Sequence, residues 1–292
     1  MKLSAFLVVC CSATTAFALP DYEPFADATA SAGTAYLVND PLIGQKDAQG
    51  QSWAQAGPNQ PSPQPTISAG NLSVSGLADP QGNSVSFGGN GTSARFGLGS
   101  SITSGTIYYS FAFKLTDITA LSTSGVFWAG FNNSTGSQTT TPTTVGSRVV
   151  AKASGTSFQI GLDKSSGTAS LFAFDPTLYN VNDVIFVVGS YTFNTGTTTD
   201  DVSKLWINPS SSSFGGSEPA GALTSTAGTD LGSIPSFVLF ERSTAEPAGI
   251  IADELRFGTS YADVTPVPEP ASSFCIGLGV LGLVAWQYLR KR

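Results

Sequence analysis

Residues 106–115 read TIYYSFAFKL. Ile107, Tyr109, Phe111, Phe113 and Leu115 share one parity; Thr106, Tyr108, Ser110, Ala112 and Lys114 share the other. Successive strand side chains point to opposite faces, so this period of two predicts a half-buried β-strand with its apolar row turned to a core. The theme recurs along the chain as short runs rich in Val, Ile, Phe and Tyr, separated by Gly, Ser, Thr, Asn and Pro. No long stretch carries a helical period. Further strands are predicted at residues 71–75, 84–87, 94–98, 125–131, 148–153, 158–162, 169–174, 184–193, 202–208, 237–241 and 250–257. About a dozen strands need two packed sheets to bury their apolar faces, so the expected class is all-β, an antiparallel two-sheet sandwich. The long loops at 132–147 and 208–233, and the proline-rich stretch at 56–67, read as either mobile or functional.

Composition narrows the chemistry. The 292 residues include 32 Gly, 19 Phe, only 11% charged residues and no His. Without imidazole a Ser-His-Asp triad is impossible, and His is missing as a metal ligand. The net charge of −7, with no Lys/Arg cluster before the last three residues, argues against nucleic acid as a partner. Cys10, Cys11 and Cys275 all lie in terminal apolar segments, so the body between them has neither internal disulfides nor a thiolate metal site.

The two ends read as targeting segments. Residues 1–18 run from Lys2 through an apolar stretch to Ala16 and Ala18, the three-part pattern of a cleaved secretory signal peptide. Residues 271–289 carry no charge, a length of roughly 28 Å as a helix, which matches the hydrocarbon thickness of a bilayer. Arg290, Lys291 and Arg292 follow and predict a cytoplasmic C-terminus with the body outside. The domain expectation is therefore a signal peptide at 1–18, a β-sandwich at 19–265 and a tail at 266–292.

Pro268, Glu269 and Pro270 stand immediately before the apolar run, and prolines there hold the backbone extended and accessible. The order VPEP, apolar helix, basic cluster closely resembles the PEP-CTERM protein-sorting signal of Gram-negative bacteria. That resemblance implies processing near Pro268, Glu269 and Pro270 by an exosortase-type membrane enzyme, with the membrane helix as a sorting intermediate. It also implies a link to exopolysaccharide or biofilm matrix, and delivery to the cell envelope, outer surface or extracellular matrix. Within the body, VNDVIFVVGSYTF (181–193), VSKLWINP (202–209) and IIADELRFGTSYADVTP (250–266) resemble the LamG-like, concanavalin-type jelly roll, as does the opening DYEPFAD (21–27). This resemblance implies a jelly-roll body.

Catalysis in such sandwiches uses Glu-x-Asp-x-Glu or Glu-x-Asp-x-x-Glu on one strand, with acid and nucleophile about 5 Å apart. Glu23, Glu218, Glu241, Glu246, Glu254 and Glu269 are the only glutamates, and they form no such pattern. The expectation is a noncatalytic protein that binds polysaccharide. Two alternatives stay open: a glycan hydrolase or lyase using Asp200, Asp201 and Glu241 from separate loops, and a purely structural matrix or adhesion protein.

Candidate ligand-binding groups are Trp128, Trp206 and Asn208, since sugar rings stack on exposed aromatics while Asn makes directional bonds; an ordinary core tryptophan is the competing reading of each ring. Strict alternation in 250–257 places Asp253 with Ile251, Leu255 and Phe257 on the apolar face, opposite Glu254 and Arg256. A carboxylate there must be hydrogen-bonded or paired. It is read either as an acceptor of backbone N–H groups or as part of a calcium site, for which Asp200 and Asp201 are alternative ligands.

Overall fold

TIYYSFAFKL lies inside a 13-residue strand, and its Ile107, Tyr109, Phe111, Phe113 and Leu115 are each at most 1% exposed. The computed structural model describes residues 19–26, 36–57, 63–135, 141–142, 144–241 and 243–268. The expected signal peptide, the membrane helix at 271–289, and Glu269, Pro270, Arg290, Lys291 and Arg292 lie outside the described residues. Among the described residues no helix is long and apolar enough to cross a membrane.

In chain order the strands are β1 (Asp21–Glu23), β2 (Trp53–Gln55), β3 (Thr66–Ser68), β4 (Ser84–Phe87), β5 (Ala94–Ile102), β6 (Gly105–Asp117), β7 (Val126–Asn132) and β8 (Val145–Ser154). They continue as β9 (Ser157–Asp163), β10 (Ala173–Phe174), β11 (Tyr179–Asn180), β12 (Ile185–Phe193), β13 (Val202–Ile207), β14 (Leu223–Ser225), β15 (Ile234–Leu239) and β16 (Gly249–Gly258). Sheet 1 has the order β14-β13-β12-β6-β16-β4-β3, with β1 added on β16; sheet 2 has the order β10-β9-β8-β7-β15-β5-β2, with β11 on β9. The fold is an all-β, antiparallel two-sheet sandwich.

The core between the sheets is dense in aromatics. Phe111 and Phe113 from sheet 1 meet Trp128 from sheet 2 at ring separations of 5.7 and 4.9 Å. Tyr109 crosses the layer, and its hydroxyl donates to the Ser147 carbonyl at 2.8 Å, while Ser147 Oγ donates back to the Ser190 carbonyl at 2.9 Å. These bonds tie β6 and β12 to β8, since a buried polar group stays only where it is partnered.

The outer faces of the two sheets differ. On sheet 1, Tyr108, Phe186, Val188 and Trp206 form a second apolar cluster with Leu77, Phe214, Tyr261 and Val264, so three connecting segments cover that face. The last of these is pinned where Ser110 Oγ donates to the Val264 carbonyl at 2.6 Å and Ala78 N donates to the Pro266 carbonyl at 2.9 Å. The chain therefore reaches Pro268, which is exposed, from the outer side of sheet 1. On sheet 2 the outer face carries a smaller apolar patch around Phe127, Val150 and Phe240.

Three strand expectations change. Residues 71–75 alternate correctly but form no ladder, because turns at Gly70 and Gly76, both with positive φ, bracket them. The stretch 169–174 is mostly a 3-10 turn at Ala169–Leu171, with only Ala173–Phe174 paired to β9. In β16 a bulge intervenes between Asp253 and Arg256, with Glu254 at φ 59°. A bulge adds one residue and so exchanges the faces of everything beyond it. Ile250, Ala252, Leu255 and Phe257 face the core, and Asp253 lies on the other face, contrary to the parity reading.

Candidate functional site

Asp253 is still buried, at 0% exposure, because residues 71–77 lie over it. Its Oδ2 accepts the N–H of Leu72 at 2.7 Å and its Oδ1 accepts the N–H of Glu254 at 2.8 Å. Burial pushes its pKa up to about 8 despite those two donors. This is the backbone-acceptor arrangement, with Glu254 beside it paired to Arg256 at 2.5 Å.

Asp200 and Asp201 are brought together with a residue that the sequence reading did not single out, Asp230; one oxygen of each lies within 4.8 Å of the others. A cation is already present in the group. The Lys164 ammonium donates to Asp230 Oδ1 at 2.6 Å and to the Thr199 carbonyl at 3.3 Å. Asp201 accepts from Tyr191 and from Asn194 N, and Asp230 accepts from the backbone of Asp200 and Asp201. An ammonium and a set of N–H and O–H donors take up most of these oxygens, while Asp200 Oδ1 is buried without a partner among the described residues. Glu241 does not join the group.

The tryptophans are covered. Trp128 is 0% exposed in the core, and its indole N–H has no partner among the described residues. Trp206 is packed under Tyr261 at 5.4 Å, with its N–H donated to the Pro219 carbonyl at 2.8 Å. Neither presents a ring face on which a sugar could stack. Asn208 takes φ 46° and closes the end of the β12–β13 ladder, where its side-chain oxygen accepts the N–H of Phe186 at 2.8 Å. The W-x-N turn in this chain is thus a strand terminator. Trp53 is buried as well, stacked on Phe25, with its N–H donated to Glu23 at 2.9 Å.

An open concavity lies elsewhere, on the outer face of sheet 2. A groove of about 460 Å³ runs over β2 and β5, with Gln51, Ser52, Ser100, Ser101 and Thr135 around a floor that includes Gly97 and Gly99. The floor is low because outward positions of β5 after Arg95 carry glycine, while Phe96 and Leu98 turn inward to the core. Gln51 is only 9% exposed and its Nε2 has no partner among the described residues. Arg95 lies fully buried on the same sheet face and donates to the Thr135 carbonyl at 2.6 Å, which holds the groove's rim in place. A second hollow of about 280 Å³ sits further along the face, beside Phe127, Pro142, Arg148 and Phe240. There Arg148 stacks on Phe127 at 4.3 Å and pairs with Asp163 at 2.8 Å. None of the groove residues stood out in the sequence, because isolated Ser, Thr and Gln in loops carry no period or spacing.

Comparison with known proteins bears first on the end of the chain, where a family match falls on residues 266–291. The tail carries the PEP-CTERM protein-sorting motif. The match begins at the last sandwich residue held by hydrogen bonds, Pro266, and includes the exposed Pro268. No curated protein matches the chain. Among solved structures, an endo-β-1,4-glucuronan lyase from the fungus Trichoderma reesei aligns at 14% identity and a TM-score of 0.41, covering 74% of this chain and 98% of the lyase. An alginate lyase crystallised with an alginate tetrasaccharide aligns at 12% identity and a TM-score of 0.38, covering 66% of this chain and 87% of that one. The binding domain of botulinum neurotoxin serotype D aligns at 9% identity and a TM-score of 0.42, covering 77% of this chain and 47% of that one. At these scores no residue correspondence follows.

Proposed function

We propose that this chain is an exported, noncatalytic surface or matrix protein, sorted through its PEP-CTERM tail, and that its groove on sheet 2 binds polysaccharide. The body is read as a LamG-like jelly roll spanning 19–265, preceded by a cleaved signal peptide, and the tail helix as a membrane-held intermediate for an exosortase-type enzyme. The observation that carries this reading is the sorting-motif match at 266–291, placed directly after an all-β body.

The groove supports the binding clause. Its lining of hydroxyls and a carboxamide, without a carboxylate, cation or thiol, suits the hydrogen-bonding pattern of sugar hydroxyls and offers no proton-transfer group. Gln51 lines this groove beside the hydroxyls of Ser52, Ser100, Ser101 and Thr135. The chain reaches Pro268 from the outer side of sheet 1, whereas the groove opens on the outer face of sheet 2.

Affinity electrophoresis of the purified protein through the producing cell's own exopolysaccharide tests the clause. Retardation that is lost in Gln51→Ala is expected. Unretarded migration of the wild-type protein would remove binding from the account, and release of new reducing or unsaturated ends would replace it with the enzyme reading.

A further inference from the structure

The closing segment of the sandwich is still bonded where the sorting motif begins. Past β16 the chain makes a 3-10 turn at Ala262–Val264 and lies against the outer face of sheet 1. Val264 and Thr265 are both 0% exposed, and three successive carbonyls are taken up by other parts of the body. Val264 accepts from Ser110 Oγ at 2.6 Å, Thr265 from Gly215 N at 2.8 Å and Pro266 from Ala78 N at 2.9 Å. Thr265 Oγ1 in turn donates to the Tyr261 carbonyl at 2.9 Å. The next two residues, Val267 and Pro268, are exposed, so one residue separates the last bonded carbonyl from the run Pro268, Glu269, Pro270.

An enzyme that cuts an extended chain commonly holds it through main-chain N–H and C=O groups, as in strand addition. A cut near Pro268, Glu269 or Pro270 falls within about 13 Å of Pro266, at about 3.3 Å per residue. A folded body of this size has a radius of gyration of about 18 Å, so a single free residue cannot hold it clear of an active site. The carbonyls that an enzyme would bind just upstream of the cut are the ones the sandwich already holds. This segment is also separable. Tyr261 and Val264 belong to the cluster outside sheet 1, apart from the core between the sheets, and residues 259–266 add no strand to either sheet. The segment can lift away without opening the sandwich, a local opening that costs less than global unfolding.

We propose that residues 261–267 gate the processing of this chain: the membrane enzyme acts while the segment is lifted off sheet 1, and docking of the segment withholds the motif. The gate rests on the sorting reading above. The gated step breaks one peptide bond, whose acyl carbon passes to a water or amine nucleophile while that nucleophile's proton goes to the departing amide nitrogen. Because only the lifted form is competent, the processing rate scales with its population. After the cut the segment redocks, and the mature C-terminus closes the cluster over Tyr108 and Trp206. Folding of the body and removal of the tail are thereby linked.

The test follows the full chain in producing cells that hold the exosortase-type enzyme, pulse-labelled and read by mass as the tail is lost. Ser110→Ala removes the donor to Val264 and should speed processing about fivefold, the factor by which one lost hydrogen bond raises the lifted fraction. A Gly/Ser spacer of about six residues between Pro266 and Val267 adds about 20 Å of reach, leaves the body and the run from Val267 to Pro270 intact, and should speed processing at least as much. With the spacer present, Ser110→Ala should add no further gain. Lys164→Met, which weakens the sandwich at its ion cluster and not at this segment, should leave the rate unchanged. Equal rates for wild type, Ser110→Ala and the spacer variant would overturn the gate while leaving the sorting reading standing. An equal gain in Lys164→Met would trace processing to global unfolding and overturn it too. A wild-type chain that keeps its tail with the enzyme present would overturn the sorting reading, and the gate with it.

Discussion

Asp253 Oδ2 accepts the backbone N–H of Leu72 at 2.7 Å, across 181 residues of chain. This one bond fastens a connecting segment that has no ladder of its own onto the outer face of β16. Asp253→Ala leaves the Leu72 and Glu254 N–H groups buried and unbonded, and should lower unfolding free energy by about 1–3 kcal/mol. Urea denaturation measures it; a loss under about 0.5 kcal/mol would mean that water replaces the carboxylate without cost.

Lys164 is 0% exposed at its side chain and Asp230 13%, with 2.6 Å between them. Lys164→Met leaves the Asp200, Asp201 and Asp230 carboxylates without their cation and should destabilise by about 3–5 kcal/mol, the range for breaking a buried pair. A near-neutral effect in thermal denaturation would show that solvent already screens the cluster.

Glu241 should make stability fall as pH rises. Its carboxyl oxygens are buried, and burial, only partly offset by the backbone N–H of Gly88 and aided by the charge of Glu246, pushes its pKa up to about 8. The folded state therefore holds a proton that the unfolded chain releases above its ordinary value of 4.5. The stabilising contribution is complete below that value, declines through the interval and is gone above about 8, with a slope of at most about 1.4 kcal/mol per pH unit. Glu241→Gln should flatten this slope and exceed the wild type in Tm above pH about 8. Parallel pH profiles of the two proteins would contradict the assignment.

Gly189 stands opposite Tyr109 in the β12–β6 ladder, and a methyl group there would overlap the tyrosine ring. Gly189→Ala should cost about 1–3 kcal/mol by displacing the hydroxyl from the Ser147 carbonyl. Gly232→Ala, with nothing within 4 Å of its added carbon, is the matched control and should be close to neutral.

Strands with strict alternation, such as β6, were legible because the core side and the period coincide over many residues. The face of Asp253 was not, since a single positive-φ residue, Glu254, shifts the parity without leaving a compositional mark. Trp128 and Trp206 illustrate a different limit: a ring on a strand reads alike whether a ligand or Tyr261 covers it. The groove and the Lys164 cluster join residues distant in sequence, so only the folded chain brings them together. The sorting motif was legible, because its information is a linear order of residues rather than a surface.

The most direct test of the central claim is mass spectrometry of the mature C-terminus from producing cells with and without the exosortase-type enzyme. Sorting through the motif predicts a chain ending near Pro268, Glu269 or Pro270 when the enzyme is present and extending to Arg292 when it is absent. A chain ending at Arg292 in both would contradict it.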